Sequence, residues 1–261
     1  MSLARRLAEL VSRNRRMVRR SPASFGARPL VVSPDASLRW LRRDPWRDEN
    51  ALLQAVDRLV GPGTVTWDLG ANVGAFAICA GHRSGAAVVA VEADGFLAEL
   101  LRDTKRRNPD LKLEVLCCAV GAGAGVARFA IAGRGRSTNG LVDGAISTQH
   151  GESREVRAVP TLAADDLLAH FPKPDLVKVD LEGGEAMFVD GAAKLLSEVR
   201  PAIYIEIHRD NRPKVLGRLF GGGYAVKQHH GGHWIDVSDD PPSEDFYALP
   251  LERADGFFAE G

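Results

Sequence analysis

The stretch TWDLGANVGAF, residues 66 to 76, runs from an apolar segment into a turn with two spaced glycines and then into small residues typical of a helix. Asp68 stands at the end of the apolar segment, and Gly70 and Gly74 follow it. In α/β proteins, ligands collect beyond the carboxyl ends of the strands, where a glycine-rich turn lets them approach the backbone. The stretch therefore predicts a strand, a ligand-binding turn and a helix.

Two features distinguish a diphosphate ligand such as NAD from a cationic adenosyl ligand. They are the spacing of the glycines and the positions of two acidic residues. Gly-x-x-x-Gly is not the Gly-x-Gly-x-x-Gly fingerprint that holds a pyrophosphate at a helix N-terminus. The carboxylate of Asp68 repels a diphosphate and attracts an ammonium group. Glu92 ends the second predicted strand, where a carboxylate can accept hydrogen bonds from both ribose hydroxyls. Each glycine alone fits a tight turn and each acid a helix cap, but together they favour a cationic adenosyl ligand over NAD.

Strand-like and helix-like segments alternate along most of the chain. Predicted strands cover residues 65–70, 87–92, 111–120, 176–180 and 202–208. One predicted helix begins at residue 74, a second ends at residue 107, and two more cover residues 161–170 and 185–199. This alternation predicts a doubly wound, Rossmann-like α/β fold with a mostly parallel sheet and helices on both faces. Residues 128–159 look irregular. Segments 224–228, 233–237 and 246–249 predict closing strands, the first two an antiparallel pair joined through Gly231 and Gly232.

The N-terminal region differs from the rest in charge. Residues 1 to 50 hold twelve Arg against five acidic residues, a charge of +7, whereas the remainder has 22 basic and 29 acidic residues, a charge of −7. Apolar residues at helical spacing from Leu3 to Val18 predict a basic amphipathic helix. It either caps the main domain or contacts an acidic membrane surface or partner through residues 1–20. Two strands at 29–32 and 38–41 and a helix at 48–60 complete a cap region, 1–60, before the main domain, 61–261.

Composition narrows the class of protein. With 261 residues, 45% hydrophobic and 26% charged, the chain is typical of a globular protein. Its three cysteines, Cys79, Cys117 and Cys118, form no even set, so we expect them reduced, as in a cytoplasmic protein. No apolar run predicts a membrane span or a secretory signal. The acidic main domain argues against nucleic-acid binding, and the sequence does not indicate an oligomeric state.

Four motifs resemble a known family. DLGANVGAF (68–76), VEA (91–93), KVDLEGGE (178–185) and PAIYIEIH (201–208) are similar to class I S-adenosylmethionine-dependent methyltransferases and, within that class, to the FkbM family. The similarity covers roughly residues 49 to 208, with weaker support to about 250. It implies S-adenosylmethionine as the cofactor. By position, it implies that Asp68, Gly70, Asn72 and Gly74 surround the methionine part and that Glu92 holds the ribose. It also implies that the adenine is lined by Ala93, Cys118 and Ala119, and Ala71 is a further cofactor residue.

Candidate catalytic groups follow the last two predicted core strands. Methyl transfer to a hydroxyl requires an aligned acceptor and a base that takes its proton. Asp180 and Glu182 lie two apart in one extended segment, and Glu206 and His208 end the next strand with the same spacing, so we expect all four to converge over the sulfonium. An imidazole titrates near pH 6.5, which favours His208 as the base. Asp180, also a cofactor contact, is its chief competitor.

Several interpretations stay open. The resemblance implies an O-methyltransferase that acts on a hydroxyl of a sugar or secondary metabolite. The alternatives are an NAD-dependent oxidoreductase and a non-catalytic binding module that uses the basic helix. We predict no metal site, although Asp180 and Glu206 could hold a divalent ion with a substrate diol. HHGGH, residues 229–233, fits a hairpin turn better than a metal site, and residues 134–140 fit a loop near the acceptor, with Asn139 as a contact.

Overall fold

The computed structural model describes residues 11–47, 50–133, 135–142 and 153–259. Within these ranges the strands, in chain order, are β1 Met17–Arg20, β2 Pro29–Val32, β3 Thr66–Leu69, β4 Val88–Val91, β5 Leu113–Leu116, β6 Ala119–Val120, β7 Gly125–Ala132, β8 Gly140–Leu141, β9 Ser153–Leu162, β10 Leu176–Val179, β11 Ala202–Glu206, β12 Tyr224–His230, β13 His233–Asp236 and β14 Asp245–Pro250. The α-helices are α1 Asn50–Leu59, α2 Ala75–Ser84, α3 Gly95–Arg107, α4 Ala164–Leu167, α5 Glu185–Asp190, α6 Arg212–Gly221 and α7 Leu251–Ala259.

The main sheet has eight strands in the order β13-β12-β14-β11-β10-β3-β4-β5. The strands from β11 to β5 are parallel, whereas β14 is antiparallel to both β11 and β12, and β12 is antiparallel to β13. The predicted fold class is confirmed. From β3 the chain moves outward through β4 and β5, then returns to β10 on the other side of β3. Strand order therefore reverses between β3 and β10, where doubly wound sheets bind ligands.

Both faces of the sheet are covered. Strands β3, β4 and β10 are buried along their whole length, as expected for parallel strands between two layers of helices. One core contains Phe76 and Tyr204 with side chains of α1, α2 and α3. The opposite core contains Trp67 and Phe188 with side chains of α4, α5 and α6. No helix among the described residues is long and apolar enough to cross a membrane.

The cap region shares the first of these cores. Trp40 and Phe25 are buried in the same cluster as Phe76 of α2. The backbone N–H of Val31 in β2 donates to Thr104 Oγ1 of α3 over 2.9 Å. The packing is therefore continuous across residues 60 and 61, and the division of the chain there stays a prediction.

Two predictions for the cap region are wrong. The predicted basic helix does not reach Val18, because Met17–Arg20 is strand β1 and pairs antiparallel with β2; residues 1–10 lie outside the described ranges. Residues 38–41 form a 3-10 helix instead of a strand, and the side chain of Ser37 accepts a hydrogen bond from Arg39 N at its start. The helix predicted at 48–60 is confirmed by α1.

Between β5 and β10 the structure differs most from the sequence predictions. Residues 128–159 contain two long antiparallel strands, β7 and β9, of a second sheet with the order β6-β9-β7-β8. The predicted helix at 161–170 is reduced to α4, since β9 continues to Leu162 and residues 168–170 form turns. The predicted strand at 111–120 divides into β5 and β6, which belong to different sheets. Exposed residues dominate β9, so no apolar alternation marked it as a strand.

Helices α5, α6 and α7, in the C-terminal half of the chain, also depart from the predictions. The helix predicted at 185–199 ends at Asp190, and a π-helical turn covers Leu195–Val199. A Cβ atom at Gly191, between them, would lie 2.4 Å from Gly121 O, so the backbones approach too closely for a side chain. Helices α6 and α7 were not predicted. The closing strands and the hairpin turn at Gly231 and Gly232 are confirmed.

Candidate active site

The turn after β3 is fitted tightly against its neighbours. Gly70 and Gly74 have φ values of +77° and +86°, in the left-handed region that favours glycine. A Cβ atom at Gly70 would lie 1.8 Å from the carbonyl oxygen of Asp180, and one at Gly74 would lie 2.4 Å from Leu101 Cδ2. Gly70 is therefore required by its close packing against the β10 end, and both glycines are favoured by their backbone conformation.

Asp68 supports this turn from beneath. Its side chain is 0% exposed, and its Oδ2 accepts a hydrogen bond from Ala77 N in α2 over 3.1 Å. Its Oδ1 lies 3.3 Å from Lys178 Nζ, which also lies 3.2 Å from Asp180 Oδ2 and donates to Gly70 O over 2.8 Å. The ammonium group beside Asp68 in this structure is thus that of Lys178. Contact between Asp68 and a ligand ammonium group stays a prediction.

Lys178 is the cation at the centre of the site. Burial alone would lower its pKa, but the carboxylates of Asp180 and Asp68 raise the pKa of Lys178 well above its ordinary value. Lys178 therefore stays charged and joins the end of β10 to the end of β3. Its role was missed, although a lysine inside the apolar strand LVKV is a recognisable signal, because lysines are rarely buried without a partner.

Glu92 lies at the carboxyl end of β4, as predicted. One carboxylate oxygen accepts a hydrogen bond from Asn72 N over 2.7 Å, and the other accepts one from Asp94 N over 2.8 Å. Burial raises the pKa of Glu92 to about 7, although these two hydrogen bonds oppose the shift. The backbone donors fix the orientation of the carboxylate, and each oxygen keeps capacity for a further donor.

A first cavity of about 570 Å³ opens at the carboxyl ends of β3, β4 and β10. Seven of the predicted cofactor residues line it, namely Gly70, Asn72, Glu92, Ala93, Cys118, Ala119 and Asp180. Asp68 and Gly74 do not line the cavity, and Ala71 lines the neighbouring cleft instead. Arg136 also lines it, and so does Asn139, which was predicted near the acceptor.

A second cleft of about 1140 Å³ adjoins the first cavity. Its apolar wall contains Trp40, Leu52, Val73, Phe76 and Tyr204, so residues of the cap region and of α1 contribute to it. Its polar wall contains Lys178, Asp180, Glu182, Glu206 and Asp245. The first cavity and the second cleft share Asn72, Asp180 and Glu182. They therefore meet at the carboxyl end of β10.

The comparison with protein families decides the class of this chain. Residues 68–234 match the family described as Methyltransferase FkbM domain. The chain belongs to the FkbM methyltransferase family. It is therefore a methyltransferase that uses S-adenosylmethionine, which confirms the resemblance and replaces the NAD-dependent and non-catalytic alternatives. No curated protein matches the chain.

A solved FkbM structure shows the same fold, and two further solved structures are similar to this chain. The methyltransferase FkbM from Methylobacillus flagellatus KT matches this FkbM-family chain with a TM-score of 0.50 and 16% identity, over 76% of this chain and 50% of that one. A precorrin-6y C5,15-methyltransferase from Geobacter metallireducens GS-15 has a TM-score of 0.45 and 14% identity, over 78% and 86% of the two chains. Trm5b from Pyrococcus abyssi has a TM-score of 0.48 and 12% identity, over 90% and 54%. The chain thus spans half the length of the solved FkbM protein, and only the fold is compared.

Three of the four predicted catalytic residues of this FkbM-family methyltransferase share the second cleft. Burial, with repulsion from Asp180, raises the pKa of Glu182 to about 9 and that of Glu206 to about 8. Both carboxyls are therefore harder to ionise than an exposed glutamate. The phenol of Tyr204 donates to Asp245 Oδ1 over 2.6 Å at the same wall. No group of three or more His, Cys, Asp or Glu within the described ranges is arranged to hold a metal ion.

His208 lies just beyond these acids. Its side chain is 36% exposed, and its Nδ1 accepts a hydrogen bond from Asp210 N over 3.4 Å. It lines a third pocket of about 480 Å³ together with Asp180, Glu182 and Glu206, but it does not line the second cleft. The four predicted catalytic residues are therefore neighbours, with His208 the farthest from the junction of the first cavity and the second cleft.

Proposed function

We propose that this methyltransferase methylates a hydroxyl of a small, uncharged or cationic acceptor, such as a sugar or a secondary metabolite. The observation that carries the proposal is the junction of the first cavity and the second cleft at Asn72, Asp180 and Glu182. A donor in one compartment and an acceptor in the other meet only there. Such an arrangement converts a reaction between two molecules into one between neighbours.

The first cavity fits the cofactor. Gly70 lines this cavity without a side chain, so a ligand can approach the backbone of the turn. Glu92, held by Asn72 N and Asp94 N, is oriented to accept both ribose hydroxyls, and apolar side chains such as Leu97 and Phe129 surround the space beyond it. When bound, S-adenosylmethionine supplies a methyl group on a sulfonium, already activated for displacement. The chain itself has to orient the two reactants and accept a proton.

The second cleft selects the acceptor by charge. Asp180, Glu182, Glu206 and Asp245 line it against the cations Lys178 and Arg39. Lys178 lies between Asp68 and Asp180, which offset its charge. Glu182 and Glu206, which are hard to ionise, exchange hydrogen bonds with a hydroxyl without repelling an anion. The Asp180 carboxylate attracts ammonium groups and repels phosphates and carboxylates. The apolar wall at Leu52 and Phe76 suits the hydrocarbon face of a sugar-like or polyketide-like molecule. We therefore expect an acceptor without negative charge.

Asp180 is the base that the geometry favours. It is the only one of the two principal candidates that lines both the first cavity and the second cleft, whereas His208 lines neither. Lys178 Nζ, 3.2 Å from Asp180 Oδ2, fixes the carboxylate at the junction. In the proposed step the Asp180 carboxylate accepts the hydroxyl proton as the acceptor oxygen bonds to the methyl carbon and the carbon–sulfur bond breaks. Glu182 and Glu206, whose pKa values are raised by burial and by Asp180, orient the acceptor.

The proposal is tested by following a labelled methyl group. The enzyme is incubated with S-adenosylmethionine labelled in the methyl group and with a small-molecule extract of cells, and the labelled product is separated on anion-exchange resin. We expect an alkali-stable product, as for a methyl ether, that does not bind to the resin. An alkali-labile ester, or a product retained by the resin, would contradict the proposal.

A pair of α1 variants locates the acceptor. Leu52→Trp places a large ring in the second cleft, so we expect it to abolish transfer while S-adenosylhomocysteine still binds. Gln54→Trp is the matched control, because Gln54 is exposed on the same helix and should leave transfer unchanged. Equal transfer by Leu52→Trp and the wild type would show that the acceptor lies elsewhere.

A further inference from the structure

Arg136 is a buried cation in the wall of the first cavity. Its side chain is 5% exposed. Its Nε donates to Asp35 Oδ2 over 2.8 Å, its Nη1 donates to Asp94 Oδ2, and its Nη2 donates to Asn14 Oδ1 over 3.1 Å. The guanidinium also lies 4.6 Å from the centre of the Phe96 ring. Every nitrogen of this side chain is thus occupied by the protein, and two carboxylates offset its charge.

Asp35 supplies one of these carboxylates from the cap region. Its side chain is 4% exposed, and it lines neither the first cavity nor the second cleft. Arg154 also donates to it, over 3.0 Å to Oδ1 and 2.9 Å to Oδ2. Burial alone would raise the pKa of Asp35, but hydrogen bonds from Arg154 and Arg136 hold it below its ordinary value. Asp35 is therefore a charged residue that touches the site only through Arg136.

A continuous set of hydrogen bonds leads from Asp35 to Glu92. Asp94 Oδ2 accepts from Arg136 and, over 2.8 Å, from Asn139 Nδ2. The backbone N–H of Asp94 donates to Glu92 Oε1 over 2.8 Å. Asp94 Oδ1 also accepts from Phe96 N over 2.9 Å and so caps α3. A displacement of Arg136 would therefore disturb both the cavity wall and the carboxylate proposed to hold the ribose.

We propose that Asp35 is a positioning residue for the cofactor, which holds Arg136 in the wall of the first cavity and so sets the affinity for S-adenosylmethionine without contacting it. This inference rests on the proposed location of the cofactor in the first cavity. Without the Asp35 carboxylate, Arg136 retains one buried ionic partner in place of two and is drawn towards water. The cap region thereby contributes to cofactor binding from outside the matched family region, residues 68–234.

The test measures S-adenosylhomocysteine binding by calorimetry. Asp35→Asn keeps the shape of the side chain and removes its charge, and we expect roughly tenfold weaker binding, within the usual range of coupling between separated groups. Glu252→Gln is the control, because Glu252 is likewise held by an arginine, Arg200, through two hydrogen bonds of 2.7 Å and 2.8 Å. Glu252 lies on α7, away from the first cavity, so the Glu252→Gln variant should bind S-adenosylhomocysteine as tightly as the wild type.

A double variant distinguishes positioning from a general loss of stability. If Asp35 acts through Arg136, then Asp35→Asn combined with Arg136→Gln binds S-adenosylhomocysteine as weakly as Arg136→Gln alone. Additive losses, or wild-type affinity in Asp35→Asn, would overturn the inference. Should Asp35→Asn fail to fold, Asp35→Glu decides in its place, with several-fold weaker binding expected and wild-type affinity overturning the inference. Failure of the wild type to bind would instead refute the proposed cofactor site, and with it this inference.

Discussion

Gly70 is the residue at which the turn and the next strand come closest. Its φ of +77° is strained for any residue other than glycine. The carbonyl of Asp180 also occupies the space that a Cβ atom would need. Gly63 shares the conformation, with a φ of +85°, but it has no atom within 4 Å of a built Cβ. The two glycines therefore separate the cost of backbone conformation from the cost of close packing.

We predict that Gly70→Ala loses the rise in melting temperature that S-adenosylhomocysteine gives the wild type, because the turn must move away from β10. Gly63→Ala should keep that rise and lose only about 1 kcal/mol of stability, the cost of left-handed backbone with a Cβ. Thermal denaturation with and without S-adenosylhomocysteine measures both. Normal stabilisation of Gly70→Ala by the ligand would show that the turn is not part of its site.

At the scale of elements, Lys178 joins β10 to β3 through charge. It is nearly buried between Asp68 and Asp180, and the register pairs Lys178 with Asp68 on adjacent strands. Removal of a cation from such a pair leaves a carboxylate buried without its partner, which costs more than the pair itself contributes. The strand junction therefore depends on the charge of Lys178 more than on its shape.

Lys178→Met should lower the free energy of unfolding by about 3–5 kcal/mol, as breaking a buried ion pair does. Denaturation by urea measures this loss. Adding Asp68→Asn should restore part of it, since the uncompensated carboxylate is then removed. If the double variant is less stable than Lys178→Met, Asp68 stabilises the fold through Ala77 N and not through the pair.

The ends of β10 and β11 make stability depend on pH. Glu182 ionises near pH 4.5 when unfolded but near pH 9 in the folded chain, because burial and then Asp180 and Glu206 oppose its charge. The unfolded chain therefore releases the proton first. The stability due to this group is complete below about pH 4.5 and is lost as the pH rises through about 9.

The melting temperature of Glu182→Gln should consequently fall less than that of the wild type between pH 5 and pH 9. The difference between the two melting temperatures should widen as the pH rises. The contribution of one such group is at most about 1.4 kcal/mol per pH unit. Glu114→Gln, at an exposed position of β5, is the control and should follow the wild type. Parallel curves for Glu182→Gln and the wild type would mean that Glu182 is ionised in the folded chain.

At the scale of the whole molecule, the cap region is built into the first core. Trp40 and Phe25 are buried in it, β2 is bonded to α3, and Asp35 is paired with Arg136. The arginines of the cap region also pair with the main domain, as Arg16 does with Asp103 and Arg28 with Asp110. Part of the excess positive charge there therefore faces acidic partners within the same chain.

We predict that residues 61–261 alone do not unfold cooperatively, because deletion of the cap region exposes the apolar surface that Trp40 and α1 cover. Circular dichroism during thermal denaturation measures the cooperativity, and the full chain is the reference. A cooperative transition together with wild-type affinity for S-adenosylhomocysteine would support the division at residue 60 and contradict the role proposed for Asp35.

The sequence by itself determined the class of fold, the family and most of the first cavity. The alternation of segments predicted the sheet. The positions of Gly70 and Glu92 at strand ends predicted two residues of the cavity, and the family resemblance implied Asn72, Ala93 and Cys118. These signals are local: a glycine spacing, an apolar run and an acid after a strand are visible in a few residues. Position at the carboxyl end of a parallel strand then brings such residues together without further information.

Only the tertiary structure decided which charges pair and which parts of the chain close the site. Asp35 and Arg136 meet across the fold, Lys178 lies between Asp68 and Asp180, and Trp40 lines the second cleft. β7 and β9 form a sheet that no alternation had marked. The physical reason is that burial, ion pairing and strand pairing depend on distances between residues far apart in sequence, and those distances exist only once the chain is folded.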